Sequence, residues 1–489
     1  MLQSIEARTG AAIGERWAES TGTEIDEAVR AAANAADDFA STAAARRGAL
    51  LRALADALEA DREALVALAD RESGLGLPRL NGELDRTTFQ LRGFADEVER
   101  GAAHALTDDA AVAGAPPAGR PRLTCVRVPI GPVAMFSASN FPFAFSVLGG
   151  DTASALAAGC PVVVKGHPAH PELSRRTAVL ARKVVDAQGL PAGVFQFVQG
   201  ASIEVGVRLV RAPAIAAVAF TGSYKGGIAL AKVAAERPRP IPFYGELGSV
   251  NPLVVLPSAL ASDSAELAAT LAGSICLGAG QFCTSPGVIV VPEGTAGDAF
   301  VSALATALRG MQPHAMLSAG IRATFERGVA QWRGTPQLAP LVDDDTGGEL
   351  PRPFLGEVSG ADFIANRALH EEVFGSAVLV VRVASTHEAT QVLAAIGGSL
   401  TVTLWGAETQ SEDTRRLVRA ATQVAGRVLF SGVPTGVAVT AAQHHGGPYP
   451  ASTQPFTTSV GYAAMDRFLR PVALQDPPQW MLDRKGVPV

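Results

Sequence analysis

Cys283 is the residue of this 489-residue chain best suited to covalent chemistry, because small and chain-breaking residues surround its thiol. It lies in the segment GAGQFCTSPG, residues 278–287, where glycine and proline allow a substrate to approach closely. Two other polar residues follow apolar runs, Glu246 in FYGELG and Asn140 in ASNFP. A thiol, a carboxylate and an amide are together the groups needed for covalent chemistry at a carbonyl carbon. Taken alone, a single cysteine is more often a small buried apolar residue.

Glu246 and Asn140 each have a chemical and a structural interpretation. The apolar residues 241–244 precede Glu246, so we expect a raised carboxyl pKa and the ability to act as a general base. Asn140 would donate its amide to a developing oxyanion. The alternatives are a capping or surface carboxylate and an asparagine that shapes a turn.

A second set of residues has the pattern of a cofactor site. Gly222 and Ser223 follow an apolar strand and open a helix, where free amides and the helix dipole favour a phosphate. The spacing is not GxGxxG, and a strand–turn–helix corner that binds no ligand is the alternative. Lys165 follows the apolar run 162–164, a position suited to a ribose hydroxyl or a phosphate, with an ordinary solvated strand end as the alternative. Glu372 is a candidate for binding a ribose diol, with an acidic first helical turn as the alternative.

We find no pattern typical of a metal site. None of the four cysteines forms a CxxC pair, and no histidine stands at zinc-ligand spacing from them. His444 and His445 precede a Gly-Gly-Pro segment and are interpreted as part of a loop.

Composition excludes several classes of protein. Hydrophobic residues make up 48% and charged residues 18% of the chain, which favours a large packed core. The formal net charge is −6 and no Lys/Arg block occurs, so nucleic acid is not an expected partner. The most apolar stretch, residues 132–164, is interrupted by polar residues and glycines, so no membrane span is expected. No secretory signal pattern begins the chain, and we expect a cytoplasmic protein.

The order of apolar runs predicts an α/β fold. Residues 24–70 have helical spacing, and Thr23 with Asp26 predicts a capping box with the first helix starting near Glu24. From Pro129 onward, short β-rich runs alternate with helical segments, which favours a parallel sheet with helices on its faces. A second such series begins at residue 252, with the boundary near Gly248.

The ordered set of motifs resembles the aldehyde dehydrogenase superfamily over nearly the whole chain. The set comprises Asn140, Lys165, the FTGS at 220–223, the ELG at 246–248, the GQFC at 280–283 and the EVFG at 372–375. Within the superfamily, three segments look most like the 2,5-dioxopentanoate (α-ketoglutarate semialdehyde) dehydrogenases and related NADP-dependent aldehyde dehydrogenases. They are KGHPAHP at 165–171, GQFCTSPG at 280–287 and GGPYP at 446–450.

This resemblance implies a mechanism and a set of roles. Cys283 would attack the aldehyde carbon, and the Asn140 amide and the Cys283 N–H would stabilise the oxyanion. After hydride transfer to the nicotinamide, Glu246 would activate the water that releases the acid. The cofactor would be NADP or NAD, and the residues expected to bind it are Lys165, His167, Gly222, Ser223, Glu372 and Phe374.

Three features bear on the cofactor, the base and the substrate. Many NAD-preferring relatives carry a glutamate where this chain has Pro168, so NADP should be tolerated and is the candidate for preference, with Lys165 and His167 serving its 2′-phosphate. Ser249 replaces a usual glycine beside the base. Four phenylalanines are candidates to line a substrate tunnel, with plain core packing as the alternative: Phe141, Phe143, Phe145 and Phe282.

The family architecture implies a Rossmann-like cofactor domain (1–110 and 130–247), a catalytic α/β domain (248–445) and an oligomerisation element (111–129 and 446–489). A homodimer or homotetramer is expected.

Other functions are also compatible with these sequence features. One is an NADP-dependent enzyme for longer aliphatic or aromatic aldehydes, and a coenzyme-A-acylating reaction is disfavoured because Glu246 is present to activate water. A thiol esterase that ignores the cofactor and an idle binding protein on the same fold are the alternatives outside the class.

Overall fold

A computed structural model describes residues 1–261, 264–344 and 350–482 of the chain. The N-terminal part begins with a two-stranded antiparallel sheet, followed by four helices that lead into two short strands. These elements are β1 (Leu2–Ile5), β2 (Ala12–Trp17), α1 (Gly22–Ala40), α2 (Ala44–Ala60), α3 (Arg62–Ser73), α4 (Leu77–Glu99), β3 (Thr107–Asp109) and β4 (Leu123–Pro129).

The start of α1 corrects the predicted cap. Thr21 is the N-cap residue: the Glu24 amide donates to Thr21 Oγ1 at 3.2 Å, and Glu24 Oε2 accepts from the Thr21 amide at 2.7 Å. The predicted pair of Thr23 and Asp26 is therefore wrong. Thr21 caps the helix because its extended backbone directs the side chain back over the first turn.

Five parallel strands form the sheet that carries the predicted cofactor residues. The spatial order is β7-β6-β5-β8-β9, so the chain runs outward in one direction and then in the other. Val162 and Val164 pack against α2–α6 on one face, whereas Val163 packs against α1 and α7 on the other. The elements are β5 (Val133–Phe136), α5 (Gly150–Ala158), β6 (Val162–Gly166), α6 (Pro171–Ala187), β7 (Phe195–Gln199), α7 (Ile203–Arg211), β8 (Ala217–Thr221), α8 (Tyr224–Ala235) and β9 (Phe243–Glu246).

A second, seven-stranded sheet follows, in the order β12-β13-β14-β11-β10-β15-β16. All neighbours are parallel except the edge pair of β12 and β13, so this sheet is mixed. The elements are β10 (Leu253–Val255), α9 (Pro257–Leu260), α10 (Ser264–Cys276), β11 (Val288–Pro292), α11 (Thr295–Arg309), α12 (Ala319–Arg333), β12 (Ala339–Asp343), β13 (Phe354–Ser359), α13 (Gly360–Ala365), β14 (Ala377–Val383), α14 (Thr386–Ile396), β15 (Ser399–Trp405), α15 (Glu412–Val424) and β16 (Ala425–Leu429).

A small antiparallel sheet joins distant parts of the chain. Its order is β17-β4-β3, where β17 is Leu469–Gln475, and α16 (Gln479–Leu482) follows. These sheets and helices confirm the predicted α/β class. Among the helices of the described residues, none combines the length and the apolar character that crossing a bilayer requires.

Candidate active site

The carboxyl edge of the five-stranded sheet brings the predicted residues together. Asn140 follows β5, Lys165 lies near the end of β6, Gly222 and Ser223 follow β8, and Glu246 ends β9. The strand order reverses at β5 and β8, and a crevice that binds ligands is expected outside such a reversal.

The loop that carries Cys283 is held in an unusual backbone conformation. Gly278, Ala279 and Gly280 all have positive φ angles, 56°, 58° and 68°. At Gly280 a Cβ atom would lie 2.3 Å from the carbonyl carbon of Gly375, so no larger residue fits. The loop therefore packs closely against the segment that leads into β14.

Asn251 fixes the other side of this loop. Its Nδ2 donates to the carbonyl oxygens of Cys283 at 2.8 Å and of Ser285 at 3.0 Å. Its Oδ1 accepts from the amide of Thr401 at 3.2 Å, at the start of β15. The buried amide of Asn251 thus ties the cysteine loop to the seven-stranded sheet.

Cys283, His445 and Glu246 form one cluster, in which Cys283 is half-buried and the other two side chains are buried. His445 Nε2 lies 3.6 Å from Cys283 Sγ and 3.0 Å from Glu246 Oε1. Ser459 Oγ donates to the other carboxylate oxygen of Glu246. Glu246 is 4% and His445 1% exposed, so these two side chains have almost no contact with bulk water.

The predicted raised pKa of Glu246 is wrong. Burial alone raises the pKa of this carboxyl, but the charge and hydrogen bond of His445 and the hydrogen bonds from Ser459 and Cys283 together lower it. Burial raises the pKa of the Cys283 thiol well above its ordinary value, and the Glu246 charge raises it further. The resting pair is therefore a thiol beside a carboxylate.

His445 is the functional candidate that sequence reasoning missed. The predicted loop is present, but the side chain of His445 contacts residues 162 and 199 positions away in the chain. Its Nδ1 is buried and has no hydrogen-bond partner among the described residues. Nε2 is therefore the nitrogen through which His445 contacts Cys283 and Glu246.

Cys283, His445 and Glu246 also form a set of possible metal ligands, which their wide spacing in the sequence does not reveal. Their ligand atoms lie within 4.8 Å of one another. Thiolate, imidazole and carboxylate are the groups that bind Zn²⁺.

We expect micromolar Zn²⁺ to bind this cluster reversibly and to block any reaction that needs the Cys283 thiolate, because the metal would occupy the sulfur. The measurement is initial rate against buffered free Zn²⁺, followed by rescue with EDTA. His445→Gln removes one ligand and should weaken inhibition at least ~10-fold, about 1.4 kcal/mol. Equal inhibition of the variant and the wild type would contradict a site formed by this cluster.

Asn140 lies beside the cysteine loop. Its side-chain Nδ2 donates to the carbonyl oxygen of Gln281 at 3.0 Å, two residues before Cys283. The side chain is buried and borders the same cavity as the thiol. An amide donor therefore stands close to the position where an oxyanion on Cys283 would form.

A cavity of ≈ 350 Å³ joins most of the predicted site residues. Those among its lining residues are Asn140, His167, Gly222, Ser223, Glu246, Cys283, Glu372 and Phe374. Lys165 is half-buried at the end of β6 and is absent from the described lining. Thr221 Oγ1 borders the cavity as a buried hydroxyl with no partner among the described residues, as expected where a polar ligand binds.

The chemistry of this cavity fits a dinucleotide. The N-terminus of α8 presents amides around Ser223, the N-cap residue. A Cβ atom at Gly248 would lie 2.4 Å from Glu372 Oε2, so the absence of a side chain at this position leaves room for the carboxylate. Burial lowers the pKa of Lys165 to about 8 and that of His167 well below its ordinary value.

Three of the four predicted tunnel phenylalanines form a cluster of their own. The Phe141 ring centre lies 5.2 Å from that of Phe145 and 5.1 Å from that of Phe282, whereas Phe143 is buried in a separate hydrophobic core. The described lining of the cavity contains none of these four rings. Phe145 also packs near the ring of His445, with centres 6.3 Å apart.

Comparisons with known proteins agree with this geometry. Residues 2–321 match the sequence model of the aldehyde dehydrogenase family. The chain is 42% identical to an α-ketoglutaric semialdehyde dehydrogenase 2 of Azospirillum brasilense, over 94% of this chain and 88% of the relative. It is 37% identical to an α-ketoglutaric semialdehyde dehydrogenase of Acinetobacter baylyi, over 98% and 92%. A solved structure described as an E. coli NADP-dependent enzyme superposes with a TM-score of 0.80 at 22% identity, over 97% of this chain and 94% of that chain, and shows the shared fold.

Proposed function

Because this chain belongs to the aldehyde dehydrogenase family, an aldehyde-oxidising family that uses NAD(P), we propose that it oxidises 2,5-dioxopentanoate to 2-oxoglutarate. The observation that carries the proposal is the cluster of Cys283, His445 and Glu246 beside the Asn140 amide. The semialdehyde is the substrate named for both relatives that match nearly the whole chain.

Cys283 is the proposed nucleophile. Its thiol proton passes to the imidazole of His445 when the aldehyde binds, and the sulfur attacks the carbonyl carbon to give a thiohemiacetal. The Asn140 amide and the Cys283 backbone N–H stabilise the oxyanion. Oxidation of that carbon leaves a thioester on Cys283, and Glu246 then removes a proton from the water that releases the acid.

The cofactor proposal concerns binding residues and preference. Bound NAD(P) supplies the two-electron acceptor of the reaction. The amides around Gly222 and Ser223 bind the pyrophosphate, and Glu372, with Lys165, binds the ribose hydroxyls. NADP is the proposed preferred form, because Pro168 presents no negative charge to a 2′-phosphate.

We expect Pro168→Glu to lower the ratio of kcat/KM for NADP to that for NAD by at least ~10-fold, because a carboxylate would repel the 2′-phosphate. Pro168→Gln is the matched control, since it changes the backbone and size similarly without adding charge. The measurement is initial rate against each cofactor at saturating aldehyde. Equal ratios in the two variants would contradict the charge argument.

Domain organisation and assembly follow the family pattern in this proposal. Residues 1–110 with 130–247 form the cofactor domain, 248–445 the catalytic domain, and 111–129 with 446–489 the oligomerisation element. Light scattering of the purified protein tests the expected homodimer or homotetramer. A cytoplasmic location is part of the same proposal.

The test of substrate is the formation of reduced cofactor from 2,5-dioxopentanoate against that from hexanal, each with NAD and NADP. A higher kcat/KM for the semialdehyde supports the proposal. A preference for hexanal would instead favour the enzyme for longer apolar aldehydes, with the cluster of Phe141, Phe145 and Phe282 as its specificity element.

A further inference from the structure

One face of α4 carries a charged row directed at the segment that contains Asn140. Arg79, Glu83 and Arg86 stand at i, i+4 and i+7, which aligns them on the helix. Arg79 Nη2 donates to the backbone carbonyl of Asn140 at 2.9 Å, and its Nη1 lies 3.2 Å from Glu83 Oε2.

Glu83 has its partners within this row and the neighbouring backbone. Its Oε1 accepts from the amides of Phe143 and Ala144 at 2.8 and 3.0 Å. Its Oε2 is the oxygen paired with Arg79. The ion pair of Oε2 with Arg79 lacks hydrogen-bond geometry, and the single negative charge of Glu83 faces two guanidinium groups.

Arg86 is the third charged member of the row. Its Nη1 and Nη2 are both buried, and neither has a hydrogen-bond partner among the described residues. Buried guanidinium nitrogens are normally paired, because leaving a charged donor unsatisfied costs folding free energy. Burial lowers the pKa of Arg86 while the charge of Glu83 raises it, and a guanidinium remains protonated at neutral pH.

The Arg86 guanidinium lies near the nucleophile. Its central carbon is 5.2 Å from the Phe145 ring centre, and that ring is 6.3 Å from the ring of His445, which contacts Cys283. The charges of Cys283 and Glu246 also act on Arg86. Arg86 is thus within reach of a ligand whose other end is held at the thiol.

We propose that Arg86 binds the distal carboxylate of the aldehyde substrate, with its two terminal nitrogens forming a bidentate pair. This inference rests on the proposed function and specifies how that substrate is recognised. An extended five-carbon chain spans about 5 Å from aldehyde to carboxylate carbon at ordinary bond lengths. A neutral aldehyde would leave the guanidinium unpaired, so the same group selects against apolar substrates.

The experiment compares the wild type with Arg86→Gln and Arg86→Lys, using 2,5-dioxopentanoate and pentanal, a neutral aldehyde of equal carbon number. We expect Arg86→Gln to lower kcat/KM for the semialdehyde about 10²-fold or more, mainly through KM, and to change that for pentanal less than about threefold. Arg86→Lys should recover part of the loss, because lysine supplies the charge without the planar fork. Arg92→Gln is the matched control, since Arg92 lies on the same helix and pairs with Asp56 at the surface.

A binding measurement separates this inference from the proposed function. Glutarate, a five-carbon dicarboxylate that cannot be oxidised, should bind the wild type in calorimetry and bind Arg86→Gln at least ~10-fold more weakly. If the wild type fails to oxidise 2,5-dioxopentanoate but glutarate binding depends on Arg86, the proposed substrate is wrong and the carboxylate site stands. The inference is overturned if glutarate binds both proteins equally or neither, or if Arg86→Gln slows both aldehydes equally, since Arg86 would then act through the charge of Cys283.

Discussion

Replacing Cys283 with alanine is expected to lower aldehyde oxidation at least ~10³-fold, and hydrolysis of an activated ester by the same factor. Both reactions need the sulfur as the atom that bonds to the carbonyl carbon. The loop around Cys283 should keep its conformation, because the positive φ angles precede it and Asn251 holds its backbone carbonyl, which alanine retains. The measurements are reduced-cofactor absorbance for the first reaction and release of 4-nitrophenol for the second.

Cys125→Ala is the matched control for this prediction. Cys125 is an exposed thiol on β4, in the small antiparallel sheet, and its loss should leave both rates unchanged. Residual esterase activity in the Cys283 variant at the wild-type level would mean that another group forms the acyl intermediate.

The strands were the most predictable part of this molecule. The apolar run 377–383 coincides with β14, and the run beginning at 288 coincides with the start of β11. Both strands are buried on two faces and therefore consist almost entirely of β-branched and other apolar residues. Strand β3, with the sequence TDD, has no such signal, because it is exposed and is held only by its neighbour β4.

The residues of the candidate site also differ in whether the sequence predicts them. Asn140, Glu246 and Cys283 were predictable as candidates because each lies in a short, distinctive segment. His445 and Arg86 were not, because the significance of His445 depends on contacts with distant residues and that of Arg86 on buried nitrogens without a hydrogen-bond partner in the described part of the chain. Even the pKa of Glu246 was predicted in the wrong direction, since the apolar sequence around it gives no indication that His445 and Ser459 approach it in the fold.

Replacing Glu246 with glutamine should separate the two halves of the reaction. Formation of the thioester should still give a burst of reduced cofactor, close to one equivalent per active site, because sulfur attack and oxidation do not consume water. Release of the acid should then be slowed about 10²–10⁴-fold, since no carboxylate is present to take a proton from water. Rapid mixing resolves the burst, and mass spectrometry of the quenched protein should detect the acyl group on Cys283. Steady-state turnover at the wild-type rate would contradict the role of Glu246 as base.

The same variant should also make the thiol more reactive toward alkylation. The negative charge of Glu246 raises the pKa of Cys283, so a neutral glutamine lowers it, and more thiolate is present at any pH below the wild-type midpoint. We expect faster inactivation by iodoacetamide at neutral pH and a midpoint shifted to lower pH. Glu372→Gln is the matched comparison: its carboxylate also raises the pKa of Cys283, as a smaller contribution than that of Glu246, so its loss should shift the midpoint less and should leave no acyl-enzyme. A mechanism in which Glu246 only supports the fold predicts the opposite combination, with no trapped thioester and no faster alkylation. Faster alkylation together with slower acid release is expected only if the same carboxylate has both roles. It raises the pKa of the resting thiol, and it takes a proton from the water that releases the acid.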